Sequence, residues 1–178
     1  MKENRMKTES KNALVGLVSL ISIFAVTGCA SAPLPKEKRE ITFVEETKVS
    51  RDDAFQRART HLAKTLGNSN AAFRVNDDKN ATLITRIILD CKDWGCGGLS
   101  MSCHYQASYN LEINAKENKV RFTYEPYEVS KIGWNGQPMS PSAITEPDQV
   151  VNAKTCAQIN KSEIMTEIGG PAAHSDKW

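Results

Sequence analysis

Ala81-Thr82-Leu83-Ile84-Thr85-Arg86-Ile87-Ile88-Leu89-Asp90-Cys91, followed by Met101-Ser102-Cys103-His104-Tyr105-Gln106-Ala107-Ser108-Tyr109-Asn110-Leu111-Glu112-Ile113, decides the fold. Both runs alternate at period two and are rich in β-branched or aromatic residues, the pattern of strands with one buried face. Laid antiparallel, Ala81 opposes Ile113, Leu83 opposes Leu111, Thr85 opposes Tyr109, Ile87 opposes Ala107 and Leu89 opposes Tyr105. Nearly every apolar group then falls on one side. The other side pairs Thr82 with Glu112, Ile84 with Asn110, Arg86 with Ser108, Ile88 with Gln106 and Asp90 with His104, and is mostly polar. After turn residues 115–118, a further run over 120–126 sets Phe122 against Leu111 and Tyr124 against Tyr109, with Arg121, Thr123 and Glu125 on the polar side.

Upstream, residues 40–48 alternate with Ile41 and Phe43 on one side and read as a strand. Ser50-Arg51-Asp52-Asp53 resembles a capping box, and Phe55, Ala58, Leu62 and Leu66 follow at helical spacing up to Gly67. The polar side of this helix, with Arg51, Asp52, Arg57, Arg59 and Lys64, reads as a solvated face. Residues 71–75 form a short strand. Residues 128–147, with Gly133, Trp134, Gly136, Pro138 and Pro141, are expected to be an irregular loop. Helical character returns from Asp148 to Ile168, as one helix or two, and residues 169–178 read as a frayed tail. The expected class is α+β, a single antiparallel β-sheet in strand-helix-strands-helix order, with the helices on one face.

From Glu40 to about Tyr127 the chain resembles a bacterial domain of unknown function described as TATA-binding-protein-like (TBP-like). The resemblance is carried by Ile41-Thr42-Phe43-Val44-Glu45, Ser50-Arg51-Asp52-Asp53-Ala54-Phe55 with Arg57-Ala58, and Val120-Arg121-Phe122-Thr123-Tyr124. It implies a fold and supplies no substrate or catalytic residue.

A second informative stretch lies at the start. Lys2, Arg5, Lys7 and Lys11 precede an apolar run from Ala13 to Val26 that closes on Val26-Thr27-Gly28-Cys29. The run is shorter than the roughly 20 residues a membrane-spanning helix needs, and its flanks are those of a secretory signal. It resembles a bacterial lipoprotein signal with its lipobox. That resemblance implies cleavage before Cys29, diacylation of its thiol and acylation of the new amine. Acyl chains bury about 0.8 kcal/mol per methylene, so two or three anchor a protein durably. Ala30 occupies the place where enteric lipoproteins retained in the inner membrane usually carry Asp, so the expected address is the outer membrane, facing the periplasm. The expected organisation is a signal peptide over 1–28, a lipidated tether over 29–39, one domain over 40–168 and the tail.

The 178 residues hold 23 basic and 21 acidic side chains, four and two of them within 1–28, so the expected mature chain is balanced. Nucleic-acid binding, which draws on a strong basic excess, is not supported. Nor is a dedicated patch for anionic membranes visible.

Cys91, Cys96, Cys103 and Cys156 remain beside Cys29, an even number in an oxidising compartment, and read as two disulfides. The register above sets Cys91 opposite Cys103, leaving Cys96 to reach Cys156. The competing arrangement pairs Cys96 with Cys103 and Cys91 with Cys156. The sharper alternative is zinc held by Cys91, Cys96 and Cys103 with His104 or Cys156, although the spacing is not that of a zinc ribbon. No metal or cofactor is expected.

Other chemistry is thin. His61 sits on the helix, His174 in the tail, Asp77-Asp78 in a turn, and Asp90 with His104 reads as a cross-strand polar pair before an acid/base couple. No phosphate loop, nucleophile elbow or zincin motif occurs. The expectation is a non-catalytic envelope module whose partners are the membrane, through Cys29, and an envelope protein or cell-wall component. Its candidate binding face carries Ile84, Arg86, Ile88 and Arg121 with Gln106, Ser108 and Asn110. Trp94 and Trp134 are candidate loop anchors or, more simply, buried fasteners of their loops. The different-class alternative is a cell-wall hydrolase or metal-binding protein using residues 91–104.

Overall fold

A computed structural model describes residues 32–67, 73–92 and 104–169. The apolar run 13–26, Cys29, Trp94, Cys96, Cys103 and the tail beyond Gly169 lie outside them. The compact unit Pro33–Trp178 contains the whole domain. Its elements are α1 (Lys36–Arg39), β1 (Ile41–Glu46), α2 (Arg51–Thr65), β2 (Phe73–Asp77), β3 (Thr82–Lys92), β4 (His104–Lys116), β5 (Lys119–Lys131), β6 (Ser142–Ala143) and α3 (Pro147–Ile168).

The strands form one antiparallel sheet in the order β1-β5-β4-β3-β2, with β6 also pairing with β5. Leu83, Thr85, Ile87 and Cys91 of β3, Ala107, Tyr109, Leu111 and Ile113 of β4, and Val120, Phe122 and Tyr124 of β5 share the buried face. Both long helices cover that face. α2 buries Ala54, Phe55, Ala58 and Leu62, and α3 buries Ala153, Ala157, Ile164 and Ile168. The α+β class with helices on one side is therefore the fold.

Local chemistry sets the helix ends. The Ser50 hydroxyl accepts the Asp53 N–H at 3.2 Å, capping α2. α3 is one helix of 22 residues: the Gln149 side chain accepts the Glu146 N–H at 3.0 Å, Pro147 takes the first turn, and Gly169 closes it at φ +78°. Arg57, expected on a solvated face, donates to the Ile168 carbonyl at 3.2 Å and satisfies an orphan acceptor at that end.

Three expectations need correction. The register is displaced by two residues: Leu83 opposes Ile113, Thr85 opposes Leu111, and Leu111 opposes Tyr124. An even displacement keeps each side chain on its face, so the core is as expected and only the partners change. The β4–β5 loop is only Glu117-Asn118, with Asn118 at φ +58°, because Ala115 is still in the ladder opposite Val120.

Second, β5 does not stop at Pro126. The ladder shifts between Ser108 and Tyr109, leaving Tyr127 as the extra residue, and pairing resumes with Glu128 opposite Ser108. The returning chain adds Ser142–Ala143 beside Val129 and Glu128. The supposed irregular loop is therefore partly sheet.

Third, the tether is largely part of the domain. Leu34 packs against the core and donates its N–H to the Ile144 carbonyl at 2.9 Å. Arg39 donates to Leu34 O at 2.8 Å, to Pro126 O at 2.6 Å and to Glu125 Oε1 at 2.9 Å. Where the bulge interrupts the ladder, this guanidinium supplies a donor that a neighbouring strand would otherwise provide.

Candidate functional site

The sheet's second face carries Thr82, Ile84, Arg86, Ile88 and Asp90 from β3, and Gln106, Ser108, Asn110, Glu112 and Asn114 from β4. From β5 it takes Arg121, Thr123 and Glu125. No described helix covers it. Ile88 is 65% exposed. Val75, 39% exposed, pairs with Ile84 after a bulge in β2 and extends the apolar strip. Sequence alternation hid Val75, because the bulge displaces it from the period of Phe73.

Arg86 lies over the Tyr127 ring, its guanidinium carbon 5.6 Å from the centroid. Such a contact holds the long side chain in place and leaves its donors available at the surface. Tyr127 continues the alternation of Thr123 and Glu125 onto this face, and the phase changes only after it, at Glu128 and Val129. Glu125 is held on both oxygens, by Arg39 at 2.9 Å and by the Asn110 amide at 3.2 Å.

The predicted set is not one patch. Ile84, Arg86 and Ile88 stand in a row along β3. Arg121 stands opposite Asn114 near the β4–β5 turn and pairs with Glu112 at 3.6 Å. Trp134 lies beyond the other end of β5, in the turn held by Gly133 and Gly136. About ten extended residues, roughly 30 Å, separate the two levels along β5. Trp134 is 94% exposed, so it is not the buried fastener of its loop.

Asp90 opposes Gln106, which donates to its Oδ1 at 2.9 Å. His104 sits diagonally, Nε2 at 3.8 Å from Asp90 Oδ1. The two side chains are 40% and 58% exposed, while His104 Nε2 itself is shielded from solvent and has no hydrogen-bond partner among the described residues.

Cys91 is bonded to Cys156, with Cα atoms 5.5 Å apart, so the expected pairings of Cys91 with Cys103 and of Cys96 with Cys156 are corrected. The cause is the two-residue displacement: Cys91 opposes Tyr105, and its thiol points into the core beneath α3. The bond also removes Cys91 and Cys156 from the proposed zinc set. Among the described residues no group of three His, Cys, Asp or Glu side chains gathers to hold a metal.

Under the helices, the Tyr109 hydroxyl donates to Ala153 O at 3.0 Å and the Tyr124 hydroxyl donates to Asn160 Oδ1 at 2.9 Å. Burial pushes both phenols well above their ordinary range, Tyr124 further through the nearby Tyr109 and Glu163. These are anchors for α3 and are closed to a ligand.

The architecture is that of a small α+β domain with one helix-covered sheet face and one open face. No protein-family model and no curated protein matches the chain. Its fold is similar to that of a DUF4468 family protein from Bacteroides ovatus ATCC 8483, 10% identical, TM-score 0.50, over 80% of this chain and 93% of that one. A TBP-like protein from Parabacteroides distasonis ATCC 8503 is 10% identical, TM-score 0.49, over 79% and 97% of the two chains.

Proposed function

We propose that this chain is a lipid-anchored, periplasm-facing envelope protein whose domain is a non-catalytic binding module, and that Ile84, Arg86 and Ile88 on the open sheet face meet its partner. One observation carries the reading of the face: both long helices lie on one side of the sheet, and the other side presents a 65% exposed isoleucine beside an arginine braced on Tyr127. An apolar strip with a positioned cation between its members suits a protein or cell-wall component with a complementary anion. The anchoring rests on Val26-Thr27-Gly28-Cys29 and its basic, apolar lead. A hydrolase using residues 91–104 has no comparable support, since Cys91 is committed to Cys156.

The test places a photoreactive residue at position 84 of the protein in cells. A discrete crosslinked species is expected, falling at least tenfold with Arg86→Glu or Ile88→Asp, while the melting temperature moves by less than about 2 °C for these exposed sites. Unchanged crosslinking in both variants would refute the assignment of the face. A peptide beginning at an unmodified residue upstream of Cys29, in protein from the envelope fraction, would refute the anchoring.

A further inference from the structure

We infer that the surface formed by Leu34, Val150 and Val151, flanked by Lys38 and Lys154, rests on the phospholipid bilayer that holds the acyl chains of Cys29. The inference builds on the lipid anchoring proposed above and adds an orientation to it.

The first argument is length. Leu34 is fixed to the domain through Ile144 O and the core. Five residue steps separate it from Cys29, a reach of at most about 18 Å when fully extended. A domain of this size has a radius of gyration of roughly 14 Å and a diameter near twice that or more. The anchor is therefore too short for the domain to turn freely, and the surface around Leu34 is held towards the membrane. Had residues 29–39 been a free tether, no face would have been selected.

The second argument is what that surface carries. Beside Leu34 a shallow groove is lined by Lys38, Glu40, Thr42, Val150, Val151 and Lys154. Val151, in the first turns of α3, is 65% exposed. Apolar side chains of this kind gain about 25 cal/mol per Å² on leaving water for the interfacial layer. Lys38 and Lys154 carry flexible cations that suit phosphates of the headgroups, while Glu40 keeps the groove from being strongly basic. A phospholipid surface of mixed zwitterionic and anionic headgroups is the occupant that matches both the tie to Cys29 and this lining.

The test uses acylated protein purified from cell membranes and reconstituted in vesicles of phosphatidylethanolamine and phosphatidylglycerol. Val151→p-benzoylphenylalanine is compared with the same replacement at Ile88 and at Ile159, two exposed positions outside the groove. Intact mass first reports the acyl chains on Cys29. With them present, photolysis is expected to give at least five times more lipid adduct at position 151 than at 88 or 159. Equal yields, or a higher yield at 88, would overturn the orientation and leave the anchoring standing. A mass without acyl chains would overturn the anchoring, and the orientation with it.

Discussion

Removing the Cys91–Cys156 bond by Cys91→Ala with Cys156→Ala tests what joins α3 to the sheet. The two cysteines are 65 residues apart in sequence. In the chain-entropy account, a loop of that length removes about 14 cal/mol/K from the unfolded ensemble, so losing the bond costs about 4 kcal/mol at 25 °C. Alanine fits these sites, which are 1% and 7% exposed, without burying a new hydroxyl. At about 0.3 kcal/mol/K of unfolding entropy for a domain of this size, the melting temperature should fall by roughly 15 °C. The assay is urea denaturation of both proteins without reductant, after peptide mapping of the parent. Mapping should join Cys91 to Cys156 and, by the arrangement that contains this bond, Cys96 to Cys103. The variant's m-value should rise, because its unfolded chain is less constrained and exposes more surface. A loss below about 1 kcal/mol with the bond mapped in the parent would refute the loop argument. A Cys91–Cys103 peptide would refute the register.

The buried phenols predict an alkaline limit. A phenol whose pKa is raised in the folded state keeps its proton after the unfolded chain has lost it, so its contribution is complete below about pH 10 and declines above that. Each of Tyr109 and Tyr124 should cost about 1.4 kcal/mol per pH unit there, and Tyr124→Phe should remove about half of the combined slope in urea titrations between pH 9 and 11.5. A slope unchanged by Tyr124→Phe would show that other groups control the transition. Arg39→Ala should cost about 1–3 kcal/mol, since it leaves Pro126 O and Glu125 without their charged donor. Hydrogen exchange should report it first at Leu34, and unchanged protection there would show that the N-terminal segment is held by other contacts.

The faces of the sheet were legible in the sequence, and its register was not, for one physical reason. Side chains alternate with period two, so the pattern of Ala81 to Ile113 distinguishes odd displacements from even ones and is blind to a displacement of two. For Leu83 the consequence is slight, because Ile113 replaces Leu111 as its neighbour. For Cys91 it changes the covalent structure, because a disulfide needs one particular partner within reach. The turn that would settle the register, Glu117-Asn118, was obscured by Ala115, a small residue with a weak strand signal that is nonetheless buried opposite Val120. Pro126 and the phase change after Tyr127 likewise broke the alternation and hid the last third of β5. The Arg39 contacts were beyond any local pattern, since they join positions 86 and 87 residues apart.

The placing of charges on the open face lets it be a binding surface and stay unaggregated. An uninterrupted strip of aliphatic side chains on an exposed sheet would recruit other copies through its flat surface. Here Arg86 separates Ile84 from Ile88, Asp90 follows, and Glu112 and Arg121 charge the neighbouring strands. The apolar area offered is small, and a partner gains from it only by also satisfying the Arg86 guanidinium. Tyr127 holds that guanidinium beside the strip instead of letting it extend into solvent, so less side-chain freedom is lost on binding. Without the Tyr127 ring, Arg86 would lose its brace. The face would then be charged but unorganised. Replacing Tyr127 with Ala should therefore weaken crosslinking at position 84 while leaving Ile88 as exposed as before, and full retention of crosslinking would mean that Arg86 acts by charge alone.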